Sequence, residues 1–137
     1  MPPAVLVDSN VIIDIATNDP KWAAWSSDAL SRAADESTLV INPLIYAEVS
    51  IGYERVEDLD ALLTWQDFRR LPIPYEAAFL AGKAFASYRR RGGNRLSPLP
   101  DFYIGAHAAV DGYRLLTRDA RRYRTYFPRL EILAPPE

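Results

Sequence analysis

Residues 4–15 read AVLVDSNVIIDI, an aliphatic run that stops at Asp8 and resumes in a helical pattern. Residues 4–7 have the composition of a buried strand, because aliphatic and β-branched side chains pack well on a pleated surface. Ser9 and Asn10 are typical helix-start residues, and apolar side chains follow them at helical spacing. The stretch therefore predicts a strand followed at once by a short helix, with a carboxylate at the junction.

The same strand-then-helix pattern returns along the chain. Residues 38–41 form a second β-branched run, and Asn42 and Pro43 behind it are a helix cap and a first-turn proline. The other predicted strands are 70–74, 114–117 and 130–133, and the predicted helices begin near Ser9 and Pro20 and cover 43–52, 56–68, 75–91, 101–113 and 118–126. This alternation is typical of a mostly parallel sheet that helices cover on both faces. A length of 137 residues suits one domain, so we predict a single three-layer α/β/α domain over residues 1–137, with about five strands.

The cysteine and histidine content narrows the chemistry. The sequence has no Cys and one His, which excludes thiolate zinc sites, disulfide scaffolds, cysteine nucleophiles and mechanisms that need two histidines. No apolar run approaches the length of a membrane span, and no charged and apolar leader opens the chain. We therefore expect a soluble, cytoplasmic protein with no membrane partner and a site built from oxygen ligands.

Charge is distributed unevenly along the sequence, although the formal net charge is −2. Residues 1–82 carry 5 basic and 13 acidic side chains, whereas residues 83–129 carry 11 basic and 3 acidic ones. A local surplus of arginine can create a positive field that attracts a polyanion even when the whole protein is mildly acidic. A solvated surface is the alternative explanation of the same pattern.

Two carboxylates lie at the ends of predicted strands. Asp8 closes the first strand, and Asp119 lies two residues beyond Thr117, where the fourth strand ends. The carboxyl ends of strands in open parallel sheets face the ligand crevice, so acids at these positions are candidates for a functional site. Each of them could instead be a helix cap.

Two further acids strengthen the case for a site. Glu48 falls on the apolar side of its predicted helix, where a carboxylate needs a cation, a set of hydrogen bonds or a raised pKa. Asp101 lies in the first turn of a helix, where the helix dipole favours a negative charge, and the same position aims it beyond the sheet edge. Four clustered carboxylates would repel one another unless a hard divalent ion neutralised them, and Mg²⁺ or Mn²⁺ suits an all-oxygen site.

Other residues receive structural interpretations. We expect Asp14 to be solvated, on the polar side of its helix with Asn10 and Asn18. His107 lies between two alanines inside a predicted helix and is expected to be packed or hydrogen-bonded rather than to bind a metal. The helix over residues 75–91 is predicted to have one apolar face, made of Phe79, Gly82, Phe85 and Ala86.

Three stretches carry a resemblance to a known family: VLVDSNVIIDI near the start, NPLIYAEV in the middle and PLPDFYIGAHAAVDGYRLLTRDARRY near the end. The sequence resembles PIN-domain nucleases over almost its whole length, and among them the VapC toxins of bacterial toxin–antitoxin pairs. The resemblance implies a parallel sheet of order 3-2-1-4-5 and Mg²⁺- or Mn²⁺-dependent endoribonuclease activity on tRNA or another structured RNA. It also implies a homodimer and inhibition by a small VapB-type antitoxin, in a groove that the helices of residues 22–34 and 43–68 commonly form.

The resemblance also implies roles for individual residues. The acidic quartet of the family, which forms the metal site, matches Asp8, Glu48, Asp101 and Asp119. Thr117 takes the place of a Ser or Thr that assists the site, and Asn10 that of a polar residue that supports it. The arginines that we expect to hold the RNA backbone are Arg89, Arg90, Arg91, Arg95, Arg118, Arg121 and Arg122.

Two other functions are compatible with clustered acids. One is a receiver-like signalling module in which Mg²⁺ assists phosphoryl transfer to an aspartate. This function needs an acceptor Asp after the third strand and a nearby Lys, and residues 70–74 contain neither. The other is a catalytically inert binding partner whose pocket binds no metal.

Overall fold

The computed structural model describes residues 2–96 and 99–136, so that Met1, Ser97, Pro98 and Glu137 lie outside the described residues. The strands are β1 (Val5–Val7), β2 (Leu39–Ile41), β3 (Arg69–Arg70), β4 (Arg114–Leu116) and β5 (Ile132–Leu133). The helices are α1 (Ser9–Ala16), α2 (Ala23–Glu36), α3 (Pro43–Ser50), α4 (Val56–Leu62), α5 (Tyr75–Arg90), α6 (Pro100–Asp111) and α7 (Arg121–Tyr126). Within the two described ranges, no helix is long and apolar enough to cross a membrane.

β1 lies at the centre of a sheet of order β3-β2-β1-β4-β5, as predicted. Val5 pairs with Leu39 on one side and with Arg114 on the other, and all of these strand neighbours are parallel. Val5, Leu6 and Val7 are fully buried, which explains why this strand is wholly aliphatic. The strand order reverses between β1 and β4, and in such folds the ligand crevice lies beyond the carboxyl ends of these two strands.

Residues next to the helix ends fix three helix bounds. The Asp8 carboxylate accepts a hydrogen bond from the Ser9 backbone N–H at 2.8 Å and caps α1. The Asn42 side chain caps α3 by accepting from the backbone N–H of Ile45 at 3.0 Å. α6 ends at Gly112, whose φ of 72° is left-handed backbone that favours glycine. These signals are local in sequence, and the corresponding helices begin or end within about two residues of their predicted bounds.

The helix predicted to begin near Pro20 begins instead at Ala23. The Asp19 carboxylate accepts hydrogen bonds from the backbone N–H groups of Lys21 and Trp22, both at 2.9 Å. These two bonds hold residues 20–22 as a turn. An aspartate that binds the backbone just beyond itself therefore competes with the first turn of the helix.

The helix predicted over residues 56–68 ends at Leu62. The Thr64 hydroxyl donates to the Asp67 carboxylate at 2.7 Å, and the backbone N–H of Phe68 donates to the Thr64 carbonyl oxygen at 2.8 Å. This turn leads the chain directly into β3. Side-chain hydrogen bonds of Thr and Asp therefore end the helix before its apolar pattern does.

The buried face of α5 differs from the predicted one. Phe79 is 58% exposed, and Gly82 is exposed as well. The helix buries Ala77, Ala81 and Ala84 instead, and it packs against α6. Small side chains allow two helices to approach closely, and Phe85 of α5 also meets the α6 ring of Phe102 edge-on at 6.2 Å. The predicted face is therefore wrong at Phe79 and Gly82, whereas Phe85 packs against the core as expected.

Gly105 lies where α6 meets two aromatic rings of the α7 region. A Cβ atom at Gly105 would lie 2.5 Å from Phe127 Cε2 and 3.1 Å from Tyr123 Cδ1. We expect Gly105→Ala to lower the free energy of unfolding by roughly 1–3 kcal/mol, the usual effect of overpacking a core. Gly82→Ala is the matched control, because a Cβ there would meet nothing within 4 Å. Urea denaturation measures both variants, and equal effects would contradict the proposed clash.

His107 is buried in α6 with both ring nitrogens hydrogen-bonded, as predicted. Asn42 Nδ2 lies 3.1 Å from His107 Nδ1, and His107 Nε2 lies 3.1 Å from a carboxylate oxygen of Asp111. Asn42 Oδ1 already accepts from Ile45, so its Nδ2 is the donor and His107 Nδ1 the acceptor. His107 Nε2 therefore carries the proton and donates to Asp111.

We expect acid to destabilise the protein through His107. Burial lowers the pKa of His107 below its usual 6.5 in the folded state, although the charge of Asp111 raises it. The unfolded chain therefore binds a proton near pH 6.5 that the folded chain does not bind, and stability falls as the pH decreases through this value. Thermal melts of the wild type and of His107→Gln between about pH 7.5 and about pH 5 test this effect. Identical pH dependence of the two proteins would contradict it.

Candidate functional site

Asp8 follows β1 and is deeply buried, with only 4% of its surface exposed. Its Oδ2 atom accepts hydrogen bonds from the hydroxyls of Thr117 and Tyr123, both at 2.9 Å. Burial raises the pKa of Asp8 to about 6, although these two hydrogen bonds lower it. The charges of Asp101 and Glu48 raise it as well, so three carboxylates share one electrostatic environment.

Glu48 reaches the same environment from α3. Its Oε1 atom accepts a hydrogen bond from the Ser9 hydroxyl at 2.9 Å, and Ser9 follows Asp8 directly. The residue is half-buried, which agrees with its predicted position on the apolar side of the helix. Burial raises the pKa of Glu48, the Ser9 hydrogen bond lowers it, and the charge of Asp101 raises it.

Asp101 lies in the first turn of α6 and is half-buried. Its Oδ1 atom is 3.3 Å from the Tyr123 hydroxyl, and its Oδ2 atom is 3.2 Å from Arg122 Nη1. Burial raises the pKa of Asp101, while the Arg122 guanidinium and the Tyr123 hydroxyl lower it. The charge of Asp119 also raises this pKa, which places the fourth acid within electrostatic reach of Asp101.

Asp119 lies in the exposed loop between β4 and α7. Its backbone N–H donates to the Thr117 hydroxyl oxygen at 3.2 Å, and α7 begins three residues later than predicted. The same hydroxyl oxygen accepts from Asn10 Nδ2 at 3.1 Å, and Asn10 Oδ1 accepts from the backbone N–H of Arg118 at 3.2 Å. Thr117 and Asn10 therefore fix Asp8 relative to the loop that carries Asp119.

Tyr123 is the site residue that sequence reasoning missed. It is 1% exposed, and its hydroxyl oxygen lies 2.9 Å from Asp8 Oδ2 and 3.3 Å from Asp101 Oδ1. Burial and the charges of Asp8 and Asp101 raise the pKa of Tyr123 well above its usual value, so the hydroxyl keeps its proton. The sequence does contain a pattern that predicts burial of Tyr123. Ala120, Tyr123 and Phe127 recur at helical spacing in an otherwise basic segment, and all three are buried.

The four acids offer only oxygen ligands, which suit Mg²⁺ or Mn²⁺. Mutual repulsion contributes to the raised pKa values of Asp8, Glu48 and Asp101, and a bound dication would relieve it. Among residues 2–96 and 99–136, however, no three Asp, Glu, His or Cys side chains are close enough together to hold an ion directly. The arrangement therefore fits an ion held by one or two carboxylates with water completing its coordination, as is usual for Mg²⁺.

Comparison with known protein families shows which family this chain belongs to. The PIN domain family matches residues 5–128. This chain belongs to the PIN domain family. A curated relative is the ribonuclease VapC of Rickettsia bellii, which is 28% identical over 141 residues in a match that covers 96% of this chain and 96% of the relative.

Solved structures share the fold of this PIN domain. VapBC2 from Rickettsia felis, bound to a DNA fragment from its promoter, superposes with a TM-score of 0.72 at 16% identity, over 96% of this chain and 98% of that one. VapBC-1 from nontypeable Haemophilus influenzae gives 0.72 at 19% identity, over 96% and 97%. FitAcB from Neisseria gonorrhoeae gives 0.68 at 18% identity, over 94% and 96%. These likenesses confirm the predicted PIN-like α/β fold.

The PIN domain contains a buried ion pair beside the site. Asp14 is 1% exposed, so the prediction that it is solvated is wrong. Arg118 donates to both carboxylate oxygens of Asp14, from Nε at 2.8 Å and from Nη2 at 3.1 Å, and the Ser26 hydroxyl donates to Oδ2 at 2.8 Å. The prediction failed because α2, which carries Ser26, packs over this side of α1. RNA binding by Arg118 would compete with this pair.

The other arginines predicted to bind RNA fall into two groups. Arg121 and Arg122 line a cavity next to the carboxylates of the site. Four more are exposed at the carboxyl end of α5 and in the loop after it, namely Arg89, Arg90, Arg91 and Arg95. The guanidinium carbon of Arg91 lies 5.5 Å from the ring centroid of Tyr126 in α7, so the two groups adjoin.

Proposed function

We propose that this PIN domain is a Mg²⁺- or Mn²⁺-dependent endoribonuclease, the toxin of a VapBC-type toxin–antitoxin pair. The observation that carries the proposal is the buried Asp8 carboxylate, which interacts electrostatically with Glu48 and Asp101 at the carboxyl end of the central strand. A buried anion among other anions indicates a cation site with a functional role. The similarity to a ribonuclease VapC over 96% of the chain supports RNA as the substrate.

The proposed mechanism is metal-assisted hydrolysis of an RNA phosphodiester. A bound divalent ion supplies an activated water and neutralises charge on the phosphate. The residues proposed to hold it, directly or through water, are Asp8, Asp101 and Asp119. The Ser9 hydroxyl fixes Oε1 of Glu48, so that the carboxylate is oriented either to bind the ion or to position the attacking water. Thr117 and Asn10 keep Asp8 in place through their hydrogen bonds.

The proposed substrate is tRNA or another structured RNA, held through its phosphates. Neutralising Arg89, Arg90 and Arg91 together should flatten the salt dependence of RNA binding, because each lost phosphate contact lowers the log–log slope by about 0.7–0.9. Filter binding with the Asp8→Asn protein, which is expected not to cleave the probe, measures this slope. The control replaces Arg32 and Arg55, exposed arginines of the acidic half of the chain. A slope that stays the same in the triple variant would mean that this cluster is only a solvated surface.

We also propose a VapB-type antitoxin as partner, a homodimer, and a cytoplasmic location. Solved VapBC structures share this fold, and an apolar cavity of about 450 Å³ adjoins Glu48 between α1 and α3. Ile51 in its wall is 85% exposed, and Val49 and Tyr53 line it too. A partner bound there would cover one side of the proposed site. Sedimentation of the chain alone tests the homodimer, and sedimentation of the chain mixed with its antitoxin tests the toxin–antitoxin complex.

RNA cleavage by the purified chain tests the proposed activity. We expect cleavage in Mg²⁺ that EDTA abolishes, and mapping of RNA ends after induced expression would identify the substrate. A receiver-like module would instead gain the mass of a phosphoryl group from acetyl phosphate, and an inert partner would do neither. Residues 71–74, which follow β3, contain no Asp or Lys, so no observation favours the receiver-like function.

A further inference from the structure

The loop between β4 and α7 carries Asp119, one of the residues proposed to hold the divalent ion. Asp119 is exposed, so packing of its own side chain does not determine where its carboxylate lies. The position of that carboxylate depends on how the loop is attached to the rest of the domain. We propose that Asp14 is the positioning residue of this loop: it binds the Arg118 side chain and thereby keeps Asp119 near Asp101. The inference rests on the proposed function and adds to it a residue that touches neither metal nor RNA.

Helix α1 holds Arg118 at two points, through its backbone and through its side chain. Asn10 Oδ1 accepts a hydrogen bond from the Arg118 backbone N–H at 3.2 Å. Asp14 lies four residues later on the same side of α1, and it accepts from Arg118 Nε at 2.8 Å and from Nη2 at 3.1 Å. A residue that is held at its backbone and at the end of its side chain has little freedom to move, and Asp119 is the next residue. The two contacts therefore attach the loop to α1 along one turn of the helix.

The Asp14 carboxylate is itself held in place. It is 1% exposed, and the Ser26 hydroxyl of α2 donates to its Oδ2 atom at 2.8 Å. The centroid of the Trp22 ring, just before α2, lies 5.6 Å from the guanidinium carbon of Arg118. Two-bond pairs between arginine and carboxylate add a defined planar geometry to their energy. The pair thus links α1, α2 and the loop in one arrangement.

A role in stability alone explains the pair less well. A buried ion pair contributes little net stability in comparison with well-packed apolar side chains, because both charges lose their hydration. The hydrogen bonds to Asp14 raise the pKa of Arg118, and the charge of Asp119 raises it as well, so the guanidinium is within electrostatic reach of Asp119. A guanidinium released from Asp14 would compete with a dication for Asp119. Asp14 therefore fixes the loop and also keeps the Arg118 charge away from the proposed ion ligand.

Amide hydrogen exchange of the metal-free chain tests the attachment of the loop independently of activity. Asp14→Asn keeps the shape of the side chain and removes the charge that binds Arg118. The backbone N–H groups of Arg118 and Asp119 should exchange about tenfold faster, because a charge-assisted hydrogen bond is lost and the loop opens locally. The N–H of Leu115, which donates to the Glu131 carbonyl oxygen within the sheet at 3.0 Å, should change less.

Leu59→Ala is the matched control for general destabilisation. Leu59 is 2% exposed in α4, a helix that carries no residue of the proposed site, and its truncation leaves a cavity that destabilises the fold. This variant should accelerate exchange at Leu115 at least as much as in the loop, which is the reverse of the pattern for Asp14→Asn. The same pattern in both variants, or no acceleration of the loop amides in Asp14→Asn, would overturn the positioning role.

Calorimetric titration with Mg²⁺ shows whether Asp14 acts through Asp119. Asp14→Asn should raise Kd by about three- to tenfold, and it should have no further effect in an Asp119→Asn background, which keeps an oxygen that can bind the ion. A fold that is merely loosened would weaken binding by the same factor in both backgrounds. Equal factors, or a wild-type Kd in Asp14→Asn, would therefore overturn the proposal. No heat from the wild type would instead remove the proposed cation site, while hydrogen exchange still decides whether Asp14 positions the loop.

Discussion

Asp8→Asn reduces RNA cleavage in Mg²⁺ by roughly a thousandfold or more, because metal assistance is worth several kcal/mol and about 1.4 kcal/mol corresponds to tenfold in rate. Asparagine has nearly the same shape as aspartate and keeps one oxygen that accepts from Thr117 or Tyr123. It removes the anion that the buried position surrounds with Glu48 and Asp101. The measurement is the single-turnover rate on RNA, and an unchanged rate would remove Asp8 from the metal site.

If the Asp8→Asn protein is at least as stable as the wild type, unfolding cannot explain its loss of RNA cleavage. Burial raises the pKa of Asp8 from 3.8 to about 6 in the folded state, so the folded chain binds more protons than the unfolded chain between these values. Wild-type stability without metal therefore falls as the pH rises through this window, by up to about 3 kcal/mol above it. At neutral pH and in EDTA, Asp8→Asn should melt at a higher temperature. A lower melting temperature would mean that the lost activity reports misfolding.

Asp14→Ala is expected to lower the free energy of unfolding by about 3–5 kcal/mol, as is usual when one partner of a buried ion pair is removed. Asp14 is 1% exposed, and its loss leaves the Arg118 guanidinium and the Ser26 hydroxyl without their acceptor. Urea denaturation measures the change. Asp28→Ala is the matched control, because its pair with Arg32 is exposed on both sides and worth at most about 1 kcal/mol.

A double variant shows whether the pair itself is responsible. Asp14→Ala combined with Arg118→Ala should cost clearly less than the sum of the two single variants, since the second change removes the charge that the first leaves unpaired. If the two costs simply add, the stability comes from packing of the individual side chains. Equal destabilisation by Asp14→Ala and Asp28→Ala would contradict the buried pair altogether.

Sequence reasoning predicted those parts of the fold that local signals determine. The aliphatic strand before Asp8, the cap at Asn42 and the glycine at Gly112 act on residues within about four positions, so each can be read without knowing the tertiary structure. The sheet order came instead from the resemblance to PIN domains, because the registers of β1 against β2 and β4 depend on contacts that are distant in sequence.

The misses share a physical cause. Asp14 was assigned to solvent from the pattern of α1 alone, and the covering helix α2 reverses that assignment. Helical spacing places Phe79 on the apolar face of α5, but the side of α5 that meets α6 carries alanines together with Phe85. Tyr123 lies between arginines in the sequence, and these neighbours suggest an exposed segment although the tyrosine itself is buried. In each case a second element decides the environment, and single-helix periodicity contains no information about that element.

The candidate site was predictable as a set of residues but not as a geometry. The positions of Asp8, Glu48 and Asp101 relative to strands and helices indicated that they would lie near one another. Burial raises the pKa of Asp8 most, and the charges of Asp101 and Glu48 raise it further, but the role of these acids as a site stays a prediction. In the described chain, no three acids approach closely enough to hold an ion by themselves. The sequence gives no sign of this spacing. That spacing fits an ion whose coordination is completed by water, as is usual for Mg²⁺.

Calorimetric titration of the metal-free chain with Mg²⁺ tests the central claim most directly. A saturable heat is predicted for the wild type, weakened by Glu48→Gln, lost in Asp8→Asn, and unchanged by Asp35→Asn, which removes an exposed acid of α2. No heat in the wild type, or the same isotherm in Asp8→Asn, would contradict a divalent cation site at Asp8.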